Sequence, residues 1–219
     1  MKAYKLRGRE GILSARIASI FVLATLLLSA PLAKAVPITI EITGEVTNFS
    51  DGTGLLNTIH VGSIFSGTYT YDSSTVDSGE GHHLHSSPYG IDLSLGGYEF
   101  KTAPTHVDQF DMWIINDGVG NGIKDYYLVR SHENALLPMG ISVNLIRWDL
   151  NDSTHTALSS AVLPTTAPSL AAWDYNYVEI YGGNSQGGFY LGGRVTQAVP
   201  EPLSVVLMMM GMLFIRRRR

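Results

Sequence analysis

Three histidines in the segment GHHLH are spaced so that they could share a metal ion. The segment contains His82, His83 and His85. If it forms a strand, His83 and His85 project from the same face, because side chains alternate between the two faces. Imidazole nitrogens are common zinc ligands, but a closed zinc site needs further ligands. The surrounding glycines and serines also fit an ordinary polar loop, so a zinc site and a polar loop are both open interpretations.

A second group of candidate metal ligands lies in the glycine-rich segment NDGVGNGIKD. Its oxygen-bearing residues are Asn116, Asp117, Asn121 and Asp125. Calcium prefers such oxygen ligands on tight loops. The spacing differs from that of an EF-hand, and an Asn/Asp/Gly loop forms readily without an ion. We therefore expect no required cofactor, and calcium held by Asp117 and Asn121 is the alternative.

One segment has the form of a catalytic motif. GNSQG (183–187) matches the G-x-S-x-G nucleophile elbow around Ser185. An elbow needs a helix directly after the serine, and its acid and histidine partners follow later in the chain. The residues after Ser185 read as another strand and contain neither Asp nor His. We therefore interpret the segment as a hairpin loop and predict that the protein is not an enzyme.

The aromatic residues suggest a different activity, namely sugar binding. The chain contains 3 Trp and 11 Tyr, and aromatic rings that face outward can stack on sugar rings. Tyr126 and Tyr127 are adjacent, so one of them should face outward, whereas Tyr175 and Tyr177 should share one face. Most strand aromatics pack in the core. A carbohydrate-binding module, assisted by calcium in one version, is therefore the second hypothesis.

The elements that position these residues are predicted to be short strands. In ITIEIT, Ile38, Ile40 and Ile42 alternate with polar residues, which is the period of a half-buried strand. Similar runs recur along the chain between turn-forming segments such as LGG and NDGVGNG, and no amphipathic helix separates them. We predict an all-β fold, an antiparallel β-sandwich of the jelly-roll type, over residues 36–198. The proline-containing segment 157–175 is predicted to be a long connection with a short helical turn at SLAAW, whose Leu158, Leu163, Leu170 and Trp173 plug the core.

Charge and composition exclude some functions. Residues 36–198 contain 5 Lys or Arg and 17 Asp or Glu, a net charge of −12. Binding to a phosphate backbone depends on clustered basic residues, so the sequence predicts no nucleic-acid partner. The chain has no cysteine, so the hydrophobic core must stabilise the fold without disulfides.

The N-terminal residues have the organisation of a secretory signal peptide. Basic residues precede the uncharged apolar run 17–29. Ala33 and Ala35 then supply the small residues that signal peptidase requires, which predicts cleavage before Val36. Residues 1–35 are therefore assigned to a cleaved leader, and the protein is predicted to be exported.

The C-terminal segment 199–219 combines three features in a fixed order. Pro200, Glu201 and Pro202 come first, an apolar run over 203–215 follows, and Arg216, Arg217, Arg218 and Arg219 end the chain. Thirteen residues span about 20 Å as a helix, less than the ~30 Å hydrocarbon layer. Arginines can extend the fit by reaching the headgroups, and basic residues keep that end in the cytoplasm. We therefore predict a short transmembrane helix.

This order of features resembles the PEP-CTERM sorting domain of Gram-negative bacteria that make exopolysaccharide. The resemblance implies that Pro200, Glu201 and Pro202 are recognised by a membrane protease-transpeptidase, the exosortase. It also implies that Arg216 to Arg219 stop transfer in the inner membrane, before the protein reaches the cell surface or the medium. The segment GSIFSGTYTYD (62–72) resembles a body type that recurs among such proteins and carries no established activity.

These features together predict an exported, non-enzymatic protein of the cell surface or extracellular matrix. Its expected role is structural or adhesive, in exopolysaccharide or biofilm. Its expected partners are the secretion machinery, the exosortase, the inner membrane in transit and exopolysaccharide. The alternatives are the carbohydrate-binding module and a metal-dependent hydrolase built on His82, His83 and His85.

Overall fold

A computed structural model describes residues 37–118 and 125–201, which contain ten β-strands and two short 3-10 turns. The strands are β1 (Pro37–Asp51), β2 (Ile64–Asp72), β3 (His82–His85), β4 (Gly90–Leu95), β5 (Tyr98–Lys101), β6 (Phe110–Ile115), β7 (Asp125–Ser131), β8 (Ser142–Asp152), β9 (Tyr175–Asn184) and β10 (Gly187–Pro200). The predicted all-β class is thereby confirmed. In these residues no helix is long and apolar enough to cross a membrane.

All ten strands belong to one antiparallel sheet rather than to the two separate sheets of a sandwich. The order across the sheet is β3-β6-β7-β8-β9-β10-β1-β2-β4-β5. The sheet curls until β2 faces β7 and β8. Across this curl, the hydroxyls of Tyr69 and Tyr127 lie 2.8 Å apart, and the ring of Tyr69 lies 5.9 Å from that of Trp148. A curled single sheet therefore encloses the core that we expected between two sheets.

The curl is accompanied by irregular pairing between the two long central strands. The register of β1 with β10 shifts between Thr43 and Gly44 and again between Val46 and Asn48. Such bulges bend a strand and increase its twist. A Cβ atom at Gly44 would lie 2.2 Å from the Phe65 ring, so only glycine lets β2 approach this bend. Strand β1 thus bends while it pairs with β10 on one side and with β2 on the other.

The core lies inside the curl and is rich in large aromatic side chains. Along β1, Ile38, Ile40 and Ile42 are buried and their neighbours face outward, as the alternation predicted. The largest fully buried side chains include Trp148, Tyr69, Tyr71, Tyr127, Phe65, Phe100 and Phe110. Ring contacts connect strands from opposite sides of the curl, so packing across the curl holds the two halves together.

The connection between β8 and β9 closes one side of the core. Leu163 and Trp173 are 3% and 8% exposed, which confirms that they plug the core. Leu158 and Leu170 are only partly buried and pack against its edge. The Tyr71 hydroxyl donates a hydrogen bond to the carbonyl of Pro164, 2.6 Å away. A 3-10 turn at Leu170–Ala172 provides the short helical turn of this connection.

The two ends of the described chain meet at one end of the sheet. Strand β10 extends to Pro200, two residues beyond the predicted boundary at Ala198, and Pro200 lies opposite Ile40. The amide of Glu201 donates a hydrogen bond to the Thr39 carbonyl, 3.1 Å away. The leader with Ala33, Ala35 and Val36, and the tail with Pro202, Arg216, Arg217, Arg218 and Arg219, lie outside the described residues.

Candidate functional site

The alternation of β3 separates the three histidines of GHHLH. His82 faces outward, whereas His83 and His85 face inward and are 3% and 2% exposed. The shared face of His83 and His85 is therefore as predicted. Over residues 37–118 and 125–201, no third His, Asp or Glu joins them in a group with metal-ligand spacing. The zinc hypothesis thus gains no additional ligand from the fold.

The two inward histidines are part of the core. Backbone carbonyls accept from His83 Nδ1 and His85 Nε2, so these nitrogens carry the proton. The other ring nitrogens, His83 Nε2 and His85 Nδ1, are buried with no partner among the described residues. Tyr71, Tyr89 and Phe110 surround the His85 ring. Burial lowers the pKa of His85, since a charged ring would lose its hydration.

This burial predicts that mild acid destabilises the protein. Below a pH of about 6.5 His85 of the unfolded chain becomes protonated, whereas in the folded protein the lowered pKa delays its protonation to lower pH. The unfolded state then binds more protons, so the free energy of unfolding falls as the pH is lowered from 7 to 5. Thermal unfolding across this range should show a declining melting temperature, with a smaller decline in His85→Phe. His60→Gln is the matched control, because His60 is exposed. If the melting temperature of His85→Phe fell with pH as steeply as that of His60→Gln, the destabilisation would not originate at His85.

On the outer face, a buried carboxylate collects several donors. Asp111 on β6 is only 4% exposed, and Arg130 on β7 contacts both of its oxygens at 3.0 and 2.6 Å. His82 Nε2 lies 3.1 Å and Trp113 Nε1 3.3 Å from Oδ2. Burial opposes ionisation of Asp111, but the bonds and charge of Arg130 outweigh it and hold its pKa below the usual value. We call these four residues the Asp111 hub.

Within the Asp111 hub, contacts with protein groups cover much of the Trp113 ring that a ligand could otherwise contact. The His82 ring stacks on Trp113 with centroids 4.3 Å apart. The guanidinium carbon of Arg130 lies 5.9 Å from the centre of the Trp113 ring. Both contacts hold the indole against protein groups, so Trp113 is a structural part of the outer face rather than a free stacking platform.

Free aromatic surface occurs instead on β9 and β10. Tyr175, Tyr177 and Tyr181 project from the outer face of β9, and Tyr190 does so from β10; we call these four residues the tyrosine strip. Tyr175 and Tyr181 are 44% and 40% exposed. The hydroxyls of Tyr177 and Tyr190 lie 3.0 Å apart, and the rings of Tyr175 and Tyr177 lie 5.9 Å apart. The prediction that Tyr175 and Tyr177 share a face is confirmed.

Charged groups border the tyrosine strip. Arg147 on β8 lies 2.7 Å from Glu179 and 3.2 Å from Asp149, measured from its Nε to their carboxylate oxygens. The outward Tyr126 donates a hydrogen bond to Asp149, 3.2 Å away. Burial raises the pKa of Asp149, partly opposed by Arg147. The strip thus combines exposed ring faces with charged groups held in place by ion pairs.

The glycine-rich segment contributes to a second cluster, at the end of β7. One ligand atom each from Asp117, Asp125 and His155 lies within 4.8 Å of the others. His155 Nδ1 lies 3.1 Å from Asp117 Oδ1, and the Asp117 amide donates to Asp125 Oδ1 at 3.0 Å. Asp125 Oδ2 accepts from the Leu158 amide at 2.7 Å. Two carboxylates and an imidazole could bind a divalent cation, and the same hydrogen bonds hold the loops together without one.

The glycine-rich segment predicted Asp117 and Asp125 as candidate ligands, but the sequence did not indicate His155. His155 lies 38 residues further on in the chain, in the connection after β8, and no local pattern links it to Asp117. Asn121, the other predicted calcium ligand, lies outside the described residues. The only sequence signal is that two polar segments flank the adjacent ends of β7 and β8.

The segment GNSQG is the tight turn between β9 and β10. Ser185 and Gln186 form the turn, and Asn184 Oδ1 accepts from the amides of Gln186 and Gly187. Both flanking elements are strands. This geometry is that of a hairpin rather than of a nucleophile elbow, which requires a helix after the serine.

Comparisons with models of known protein families, with curated proteins and with solved structures find no match to this chain. Function must therefore be inferred from the residues and their geometry.

Proposed function

We propose that the protein is exported and sorted to the cell surface or the extracellular matrix, where it has a structural or adhesive role and no enzymatic activity. The order of Pro-Glu-Pro motif, apolar run and arginine cluster in segment 199–219 carries this proposal. The leader in residues 1–35 supports it. In this proposal the exosortase reads Pro200, Glu201 and Pro202 of a Gram-negative, exopolysaccharide-producing cell, while Arg216 to Arg219 hold the inner-membrane intermediate.

The fold is consistent with processing at both ends. Strand β1 begins at Pro37, next to the proposed cleavage site, and β10 ends at Pro200. Because Ile40 lies opposite Pro200, the two processing sites flank the same end of the sheet. Removing leader and tail would therefore leave all ten strands in place.

Truncation after Glu201 should abolish surface or matrix accumulation. It removes Pro202 and the arginine cluster but retains β10 and the hydrogen bond from Glu201 to Thr39. We expect the truncated protein to accumulate in the periplasm instead, as measured by fractionation and by mass spectrometry of its C-terminus. Pro202→Ala alone is the matched test of the motif. An unchanged distribution of the truncated protein among the fractions would refute C-terminal sorting.

Carbohydrate binding is a second candidate function, favoured by the tyrosine strip. An adhesive matrix protein must contact polysaccharide, and the strip offers two well-exposed rings beside Arg147 and Glu179. From Tyr175 to Tyr181 the strand covers about 20 Å at ~3.3 Å per residue, enough for several sugar units. The proposed ligand is therefore an extended glycan lying along β9.

The double variant Tyr175→Ala/Tyr181→Ala should weaken binding to the cell's own exopolysaccharide about tenfold, the effect of losing central aromatic contacts. Binding is measured by co-sedimentation or affinity electrophoresis. Leu136→Ala is the control, since Leu136 is 68% exposed and lies in the connection between β7 and β8, not on β9 or β10. A chelator tests the calcium alternative: if calcium assists glycan binding, the chelator should weaken binding by the wild-type protein and leave binding by Asp117→Asn unchanged. Equal binding by the double variant and the control would rule out the strip.

A further inference from the structure

A polar cavity of about 260 Å³ lies on the outer face of the sheet where β2, β4 and β5 pair. It is distinct from the tyrosine strip, which lies on β9 and β10. Its lining includes Thr68, Thr70, Tyr89, Asp92, Lys101 and His106. We call it the β4 cavity.

The floor of the β4 cavity is a row of polar side chains. In the sheet register Thr68 lies opposite Asp92, and Asp92 lies opposite Lys101. The three side chains therefore stand side by side, about 5 Å apart per strand. In the next row Thr70 lies opposite Gly90, and a Cβ atom at Gly90 would lie 2.7 Å from the Thr102 side chain, so Thr102 fills the space beside this glycine. A hydroxyl, a carboxylate and an ammonium group thus face the same space.

Two cross-linked loops form the walls. Ser87 donates from its hydroxyl to the Pro104 carbonyl at 2.7 Å, and from its amide to the His106 carbonyl at 3.2 Å. His106 Nε2 lies 2.6 Å from the Tyr89 carbonyl. These bonds tie the loop before β4 to the loop after β5. The cavity is therefore formed before any ligand arrives, which lowers the entropic cost of binding.

Several groups around the cavity have unused hydrogen-bonding capacity. The Tyr89 carbonyl can only accept, so His106 Nε2 donates this hydrogen bond and Nδ1 is the other ring nitrogen. This Nδ1 is buried with no partner among the described residues, and His106 is only 2% exposed. Lys101 forms no ion pair with any of the described residues. Burial and the neighbouring Glu99 carboxyl raise the pKa of Asp92.

We propose that the β4 cavity binds a single hydroxyl-rich sugar ring. The volume is below the roughly 300–1,000 Å³ of sites for drug-sized ligands, so it suits one ring and not a peptide or an extended chain. Sugar hydroxyls both donate and accept, which matches a floor holding Asp92, Lys101 and Thr68. Tyr89 also lines the cavity. The cavity would recognise a free monosaccharide or the end unit of a glycan, whereas the tyrosine strip would bind internal units.

The test uses saturation-transfer NMR on the full-length protein with glucose, galactose, mannose and glucosamine as separate probes. We expect transfer to at least one sugar at millimolar concentration, and at least tenfold weaker binding in Asp92→Asn/Lys101→Met. Ser94→Ala is the matched control, because Ser94 lies on the same outer face of β4 but outside the cavity. Competition by an oligosaccharide of the bound sugar identifies chain ends as a ligand source, and binding of the monomer alone identifies the free sugar.

Two results would overturn the proposal: no transfer to any probe, or equal binding by the double variant and the Ser94→Ala control. Thermal unfolding of each variant checks that loss of binding is not loss of fold. Sugar binding that is unchanged in Asp92→Asn/Lys101→Met would come from another surface, such as the tyrosine strip, which this double variant leaves intact. The result for the β4 cavity therefore does not depend on whether the tyrosine strip binds glycan or whether the C-terminal segment directs sorting.

Discussion

Replacing Trp148 by alanine should destabilise the protein by about 3–5 kcal/mol, the range for removing a large buried aromatic side chain. Trp148 is fully buried, and its ring lies 5.9 Å from Tyr69 and 6.0 Å from Tyr127. These contacts join β8 to β2 across the curl. Its Nε1 also donates to Asn176 Oδ1 at 2.9 Å, so the variant also loses a hydrogen bond. Chemical denaturation at neutral pH measures the loss.

Trp113→Ala is the matched control for this prediction. Trp113 lies on the neighbouring part of the sheet but on the outer face, where His82 stacks on it. Its loss removes less buried surface and opens no cavity in the core, so we expect a clearly smaller change. Trp148→Phe should lie between the two, because it keeps the aromatic packing and loses the hydrogen bond. Equal destabilisation by Trp148→Ala and Trp113→Ala would show that the curl does not depend on the Trp148 contacts.

The strands themselves could be predicted because their patterns are local. Alternation in ITIEIT gave the correct buried face of β1, and the adjacent Tyr126 and Tyr127 divide between the faces as expected. The Gly96-Gly97 turn has φ values of +61° and +89°, which glycine adopts without strain. Each of these features depends on neighbouring residues alone, and neighbouring residues are what a sequence displays.

The single curled sheet could not be predicted in the same way. A sandwich and a curled sheet place the same residues inward and outward, so alternation does not distinguish them. The difference depends on pairings between distant segments, such as Phe49 with Leu191, and on the bulges near Gly44. A bulge shifts the register by one residue and leaves no signature in composition. The predicted sandwich therefore had the right core but the wrong connectivity of sheets.

The contacts between side chains on the outer face could not be predicted from the sequence either. Asp111 stands between Phe110 and Met112, so a buried charge in a strand could have been flagged as needing a partner. The partner, Arg130, comes from the facing position on β7. The position of Arg130 follows from the strand register, and the position of His155 beside Asp117 follows from the meeting of two loops. Neither can be inferred from residue spacing.

The Asp111 hub provides the second large prediction: Asp111→Leu should cost about 2–3 kcal/mol. Removing one partner of a buried pair leaves the other charge uncompensated, and the effect is moderated because the Arg130 side chain is 27% exposed and can reach water. Arg130→Met removes the opposite charge. The double variant should be less destabilised than the sum of the two, by at least about 1 kcal/mol, because no unpaired charge remains. Urea denaturation of the four proteins measures this coupling, and additive losses would mean that the short contacts between Asp111 and Arg130 contribute nothing to folding.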